Sequence, residues 1–256
     1  MSLNITLLSD WRLRDPYVAM LKGQLMTAFP GACITDITHY VDKFNLLQTA
    51  LLMKSAYRSF PEGTIHLILT NMSLNSTFSP VILQHDGHYF IGEDNGVFHL
   101  MFGMESPIKG LQLTESKSNT IGQILQFIQL IQKGKLEKNT VEYPKFKRMF
   151  NEIADHSPSE KQVEGKIVYI DAFNNAVTNI PVKMFEQAVQ GKKFTATIQS
   201  KGVWTIQKHF NEYNVHEEEM VLCDNALGYL EVAAYQSDVA ILADLEPGDT
   251  IIINYE

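Results

Sequence analysis

Short apolar runs alternate with amphipathic stretches over the first seventy residues. "NITLLSD" is an apolar run that ends at Asp10 and predicts a buried strand. Residues 15–29 carry Val18, Leu21, Leu25 and Phe29 at helical spacing, with Asp15 as predicted N-cap and Pro16 at the first helical position. "GACITDITHY" predicts a second strand. "FNLLQTALLMKSAYRSF" predicts a second helix, stopped by Pro61 and Gly63, and residues 64–69 a third strand. This βαβαβ alternation implies a parallel sheet with helices on its faces.

The pattern then changes. "PVILQHDGHYFIGEDNGVFHLMF" reads as strand-like runs broken by the turn signals Asp86-Gly87 and Asn95-Gly96. "NTIGQILQFIQLIQKG" restores helical spacing and closes at Gly134. A polar stretch over residues 150–165, containing Pro158, marks a domain boundary and gives an N-terminal domain over 1–155 and a C-terminal domain over 163–256. In the second domain "GKIVYIDAFNNAVTNI", "KKFTATIQSKGVWTIQKHF", "GYLEVAAYQSDVAILADL" and "GDTIIINYE" read as mostly short strands with turns between them.

Composition narrows the function classes. The 256 residues are 45% hydrophobic and 20% charged, ordinary for a globular protein. The formal charge is −8, from 29 acidic and 21 basic side chains, and no basic stripe is visible, which argues against a nucleic-acid partner. The dense acidic run "HEEEM", residues 216–220, reads as a solvated turn or edge. Cys33 and Cys223 have no thiol or histidine at ligand spacing, so both read as small core residues and no metal site is expected. No apolar run is long enough to span a membrane, and the N-terminus lacks the basic flank and cleavage site of a signal peptide. A cytoplasmic protein with no membrane partner is the expectation.

Candidate chemistry sits at the ends of strands. Asp10 suits a vicinal diol, because a carboxylate accepts two hydrogen bonds; a local turn residue is the equal alternative. "GEDNGVF" reads first as a turn at Asp94-Asn95-Gly96. In "IDAFNNAVTNI", Asn175 offers a donor and an acceptor to a purine edge, Phe173 a stacking face and Asp171 an acceptor for an ammonium group. A hairpin with an Asn-Asn turn is the plainer account of the same residues. His39 reads as a hydrogen-bonded structural residue. No metalloprotease spacing, serine-hydrolase elbow, P-loop or dinucleotide fingerprint occurs. The loop "TNMSLNSTFSP" after the third strand holds no side chain that titrates near neutral pH.

In order, "LLSDWRLRDPYVAMLKG", "ITDITHYV", "FPEGTIHL", "IGEDNGVF", "IDAFNNAVTNI" and "EVAAYQSDVAILADLEPGD" resemble the S-adenosylmethionine (SAM) hydroxide adenosyltransferase family, which includes fluorinases and chlorinases. The resemblance runs through nearly the whole chain. It implies a three-layer α/β domain with a mostly parallel sheet and a smaller β-barrel-like domain. It implies a homotrimer with sites between subunits, SAM or adenosine as ligand, and substitution at the ribose C5′ carbon without a cofactor. Carried over by residue, it implies Asp10 on the ribose diol and Phe44 where halogenases carry a tryptophan. It implies Asp171 on the methionine ammonium, Phe173 and Asn175 on the adenine, and Asn225 in a methionine- and adenine-side segment. Ala226 replaces the family's serine there.

The same resemblance explains the loop after the third strand. The hydrolases carry D-P-G-V-G-T-x-R-R-P there, and its aspartate and first arginine join a histidine from a later "TFHGRD" segment in a water-activating triad. Here those positions are Asn71, Phe78 and Asn119. Three functions follow in order of preference: a SAM hydrolase with an altered or weakened water site, a non-catalytic SAM- or adenosine-binding protein, and a halide-using enzyme. For the last, Thr70, Ser73 and Thr120 supply hydroxyls, but Phe44 and Asn71 replace a halogenase tryptophan and tyrosine.

Overall fold

The computed structural model describes residues 3–73, 78–103, 109–115, 118–149, 154–199, 202–209 and 219–256. Residues 216–218 of the acidic run and 74–77 of the loop after the third strand lie outside the described residues. The chain divides into two compact units, Met1–Met149 and Phe150–Glu256.

In the first unit, β1 (Asn4–Leu8), β2 (Cys33–Thr38) and β3 (Ile65–Ile68) occupy the short apolar runs, and α1 (Tyr17–Ala28) and α2 (Leu46–Ala56) the amphipathic stretches. Strand β1 pairs in parallel with both β2 and β3. The chain thus steps from β1 outward to β2 and then back across β1 to β3. Because parallel crossovers are right-handed, this reversal sends the two helices to opposite faces. Ile5, Leu7, Ile65 and Leu67 bury with Leu21 and Leu25 of α1. Leu8 and Ile68, on the other face, bury with Ala50 and Met53 of α2. The two-residue period of a strand sorts neighbours between these cores.

The unit continues through β4 (Val81–His85), β5 (His88–Gly92), α3 (Val97–Phe102), β6 (Gly110–Leu113), α4 (Thr120–Gln132) and β7 (Thr140–Tyr143). Among the described residues its sheet has seven strands in the order β2-β1-β3-β5-β4-β6-β7. The first four run parallel, and β4, β6 and β7 add antiparallel. Ile121, Ile124, Phe127 and Ile128 pack α4 beside α1, while Phe98, Met101 and Phe102 pack α3 beside α2. Three layers result: helices, sheet, helices.

Three local expectations are corrected. Asp15 does not cap α1: the helix begins after Pro16 and has no side-chain cap. "VFHLMF" forms a helix rather than a strand, because Asn95 Oδ1 accepts the Val97 N–H and Gly96 takes φ 110°, turning the chain into α3. A six-residue apolar run has no period that separates the two outcomes. Cys33 is exposed, since β2 is an edge strand, whereas Cys223 is buried.

The second unit holds β8 (Asp155–Ser157), β9 (Gln162–Ile170), β10 (Ala176–Pro181), α5 (Val182–Val189), β11 (Phe194–Gln199), β12 (Val203–Ile206), β13 (Met220–Asp224), β14 (Tyr229–Ala234), α6 (Val239–Leu242) and β15 (Thr250–Tyr255). Its antiparallel sheet runs β12-β11-β15-β9-β10-β14-β13, with β8 added on β9. Strand β9 pairs with β15 along its first half and with β10 along its second, which curls the sheet. The Leu222 N–H donates to the Lys208 carbonyl at 3.0 Å, so the two end strands approach and the sheet nearly closes into a barrel. Val163, Ile180, Ile198, Val232 and Ile253 fill its interior. Part of the stretch expected as a polar linker is therefore strand: β8 and the start of β9 pair with each other.

Candidate functional site

The strand order reverses between β1 and β3, and the carboxyl ends of strands at such a point are the usual ligand position in an open α/β sheet. Asp10 stands there, half-buried, just past β1. Its Oδ2 accepts the backbone N–H of Asn71 at 3.1 Å and of Phe44 at 3.4 Å. Both donors sit in the left-handed region, at φ 60° and 63°. Asparagine tolerates that region, but for phenylalanine it is strained by about 1–2 kcal/mol. The Phe44 ring is 68% exposed, so no core packing offsets the strain. Strained backbone, an exposed phenylalanine and an anchored carboxylate thus meet at the switch point of the sheet.

Polar contacts fix the backbone around these strand ends. Trp11 Nε1 donates to the Met72 carbonyl at 2.7 Å, and Thr49 Oγ1 to Thr70 Oγ1 at 2.9 Å. Ser9 Oγ lies 2.7 Å from His39 Nδ1, His39 Nε2 lies 3.1 Å from Asp36 Oδ1, and Lys22 Nζ donates to Asp36 Oδ2 at 2.6 Å. His39 is thus buried and hydrogen-bonded. Burial works to raise the Asp36 carboxyl, but its bonds to Lys22 and His39 hold it below the usual range.

Phe78 and Asn119 come together at the start of α4. The buried Thr120 Oγ1 donates to the Phe78 carbonyl at 2.6 Å. Asn119 is the N-cap of α4: its Oδ1 accepts the Gly122 N–H at 2.9 Å. The oxygen that could hold a water is thus engaged in capping. Asp94 is a buried staple, accepting from the Tyr143 hydroxyl at 3.1 Å and the Lys147 N–H at 2.9 Å.

In the second unit Asp171, Phe173 and Asn175 share the tip of the β9–β10 hairpin. Asp171 Oδ1 accepts the N–H groups of Phe173 and Asn175, both at 2.8 Å, so the carboxylate shapes the turn. Asn174, at φ 57°, donates from Nδ2 to Asp238 at 3.1 Å and thereby ties the tip to the start of α6. The Phe173 ring is 78% exposed. Phe173 and Asn175 line a cavity of about 750 Å³ together with Cys223, Glu231, Tyr235 and Leu242. Asn225 lies in the β13–β14 turn, where its Oδ1 accepts the N–H groups of Leu227 and Tyr229, each at 3.0 Å.

Glu231 is not among the candidates that the sequence motifs mark. It sits on β14 opposite Val177 of β10 and Cys223 of β13, half-buried on the face turned away from Leu230 and Val232. Asn175 Nδ2 donates to its Oε1 at 3.3 Å. Burial raises the Glu231 carboxyl; the Asn225 amide opposes this and the charge of Asp171 adds to it. Burial, with Asp171 and Glu231 nearby, pushes the Tyr169 hydroxyl up to about 12. Burial, with Glu231 and Asp224, pushes the Cys223 thiol up to about 12, so it is no nucleophile at neutral pH.

Residues 5–128 match the SAM hydroxide adenosyltransferase N-terminal domain, and residues 165–252 match the C-terminal domain of that family. The chain belongs to the SAM hydroxide adenosyltransferase family. An (R)-S-adenosyl-L-methionine hydrolase of Methanocaldococcus jannaschii is 24% identical over 271 residues, covering 98% of this chain and 95% of the relative. A Nocardia brasiliensis fluorinase is 30% identical over 80 residues, which is 31% of this chain and 27% of the fluorinase. The fold matches the crystal structure of a conserved Thermotoga maritima protein with a TM-score of 0.82 at 21% identity, covering 98% of this chain and 99% of the other.

The candidate residues of this family member fall inside the two matched segments. Asp10, Phe44, Asn71, Phe78 and Asn119 lie in the first, and Asp171, Phe173, Asn175 and Asn225 in the second. One signal could have found Glu231: in "YLEVA" the alternation sends Leu230 and Val232 inward, which leaves a carboxylate mid-strand on the opposite face. Among the described residues no group of three His, Cys, Asp or Glu side chains is placed to hold a metal ion, and no helix is long and apolar enough to cross a membrane.

Proposed function

We propose that this protein binds SAM and adenosine and converts SAM and water to adenosine and L-methionine through an altered water site. The Asp10 carboxylate, anchored by two backbone N–H groups at the switch point of the sheet, carries this proposal. Its relatives' activity supports it, since two of them are named (R)-S-adenosyl-L-methionine hydrolases. In the proposed complex Asp10 accepts the ribose 2′ and 3′ hydroxyls and the Phe44 ring lies beside the sugar. Phe173 stacks on the adenine, Asn175 reads its edge, and Asp171 and Asn225 face the methionine. SAM is the substrate and no cofactor is needed.

The chemistry asks little of acid or base groups. Water oxygen attacks C5′ from the side opposite sulfur, the C5′–S bond breaks with its pair to sulfur, and the proton passes to solvent. Methionine leaves as a neutral thioether, so no general acid is required. The protein supplies orientation and removal of solvent. The two groups of binding residues lie on different units of the chain. We infer that they meet across subunits of a homotrimer. A trimer by light scattering at micromolar concentration is expected; a monomer would remove the shared site.

A second function, ligand binding without turnover, is favoured by the water site itself. Asn71, Phe78 and Asn119 carry no titrating group, and the Asn119 oxygen caps α4. Halide transfer ranks third. Incubation of the purified protein with SAM, with and without chloride or fluoride, followed by mass analysis of nucleosides, separates the three. Adenosine supports hydrolysis, and a 5′-halo nucleoside supports the halogenase. Measurable adenosine binding without product supports the binding protein, and absence of any binding removes all three.

A further inference from the structure

The Asn175–Glu231 pair carries an inference about which purine the C-terminal cavity accepts; it rests on the proposal that this cavity takes the base of a nucleoside. Asn175 Nδ2 and Glu231 Oε1 are 3.3 Å apart. A carboxylate only accepts hydrogen bonds, so the amide must turn its nitrogen toward Glu231. The amide oxygen is then committed to the other side. Asn175 lines the cavity beside Phe173, and Glu231 lines it from β14. An amide alone is ambiguous, because it can rotate to offer either its donor or its acceptor to a ligand. Glu231 removes that freedom.

We propose that Glu231 is a specificity-determining residue: by holding the amide nitrogen of Asn175 it presents the amide oxygen to the ligand, and so selects a 6-aminopurine nucleoside over a 6-oxopurine one. The exocyclic amine of adenosine donates to that oxygen. The 6-carbonyl of inosine is an acceptor and would face another acceptor, leaving both unpaired. Sites built on such a polar match reject the mismatched analogue far more strongly than an apolar pocket rejects a change of size.

Titration calorimetry of adenosine and inosine against wild type, Glu231→Gln, Asn175→Ala and the double variant tests this. Wild type should bind adenosine at least about 30-fold more tightly than inosine. In Glu231→Gln the neighbouring amide can donate or accept, Asn175 can turn over, and the ratio should fall about tenfold, with inosine binding gained rather than both affinities lost. Once Asn175 is alanine, Glu231→Gln should leave the ratio unchanged, a coupling that a purely structural glutamate would not show. If wild type binds adenosine but the ratio is the same in Glu231→Gln, the assignment of Glu231 is overturned and adenosine binding stands. If wild type binds neither nucleoside, both proposals fall.

Discussion

Asp10 Oδ2 lies 3.1 Å from the backbone nitrogen of Asn71, a residue 61 positions later in the chain. The contact joins the ends of β1 and β3, the neighbouring strands between which the sheet reverses its order. It fixes the carboxylate before any ligand arrives, so little ordering is left to be done on binding. The left-handed φ of 60° at Asn71 is the local condition for this geometry, and asparagine is among the few side chains that accept it.

Asp10→Ala should weaken adenosine binding by about 10- to 100-fold, the loss of roughly 1–3 kcal/mol expected when a buried polar partner is removed. Calorimetry with adenosine and 2′-deoxyadenosine locates the effect. Wild type should discriminate between the two and Asp10→Ala should not. Equal discrimination by both proteins would return Asp10 to the role of a turn residue.

Phe173→Ala should separate binding from folding. The ring is 78% exposed, so its removal should change stability by no more than about 0.5 kcal/mol. Stacking on a base is worth about 1–3 kcal/mol, so adenosine affinity should fall about tenfold or more. A lowered thermal midpoint with unchanged affinity would show that the ring serves the hairpin.

The parallel half of the first unit was legible because its apolar runs and helical stripes are unambiguous. The helix at Val97–Phe102 was not, because its residues are apolar on nearly every side and only the Asn95-Gly96 geometry sets its direction. Asp10 and the "IDAFNNAVTNI" hairpin stood out as polar groups at strand ends. What remained hidden was what those groups do at home: Asn119 caps a helix, Asp171 shapes a turn, and Glu231 holds the amide of Asn175 across two strands. Such roles depend on which strands become neighbours, and pairing over 56 positions, as between Asn175 and Glu231, leaves no local pattern.

His66 should make stability depend on pH. It is buried, with Nδ1 2.7 Å from Thr6 Oγ1 and Nε2 3.1 Å from His88 Nδ1, and packed against the rings of Tyr57, Phe60 and Phe90. Burial, followed by His88, lowers its pKa from 6.5 to about 3. Between those values the unfolded chain binds a proton that the folded chain refuses. Stability is therefore fully present above pH 6.5 and falls as pH drops through the window, by at most about 1.4 kcal/mol per unit. Burial also lowers His88, which acts in the same direction. The urea midpoint should drop from pH 7 to pH 5, and His66→Asn, which can keep a partner for Thr6, should flatten that slope. An unchanged slope would remove His66 as its source.

The water site gives the most demanding prediction. The protein should hydrolyse SAM far more slowly than a family member with an intact triad, because general-base assistance is worth about 10²–10⁴-fold and none of Asn71, Phe78 or Asn119 can supply it. The triple substitution Asn71→Asp, Phe78→Arg and Asn119→His should raise adenosine formation by a factor in that range. Asn71→Asp suits the backbone, since aspartate also tolerates a left-handed φ. Alone, however, it brings a second carboxylate to the residue whose N–H Asp10 already accepts, and the two charges repel. Phe78 is 36% exposed, so a long cationic side chain can replace it without opening the core. Asn119→His removes the bond that caps α4 and should cost about 1 kcal/mol of stability with no gain in rate when made alone. The three changes should thus act only as a unit. Single-turnover measurement of adenosine release from wild type, the three single variants and the triple variant decides the matter. A wild-type rate of about 1 s⁻¹ or more, ordinary for an enzyme, would show that the side chains at 71, 78 and 119 are not where this chain handles its water.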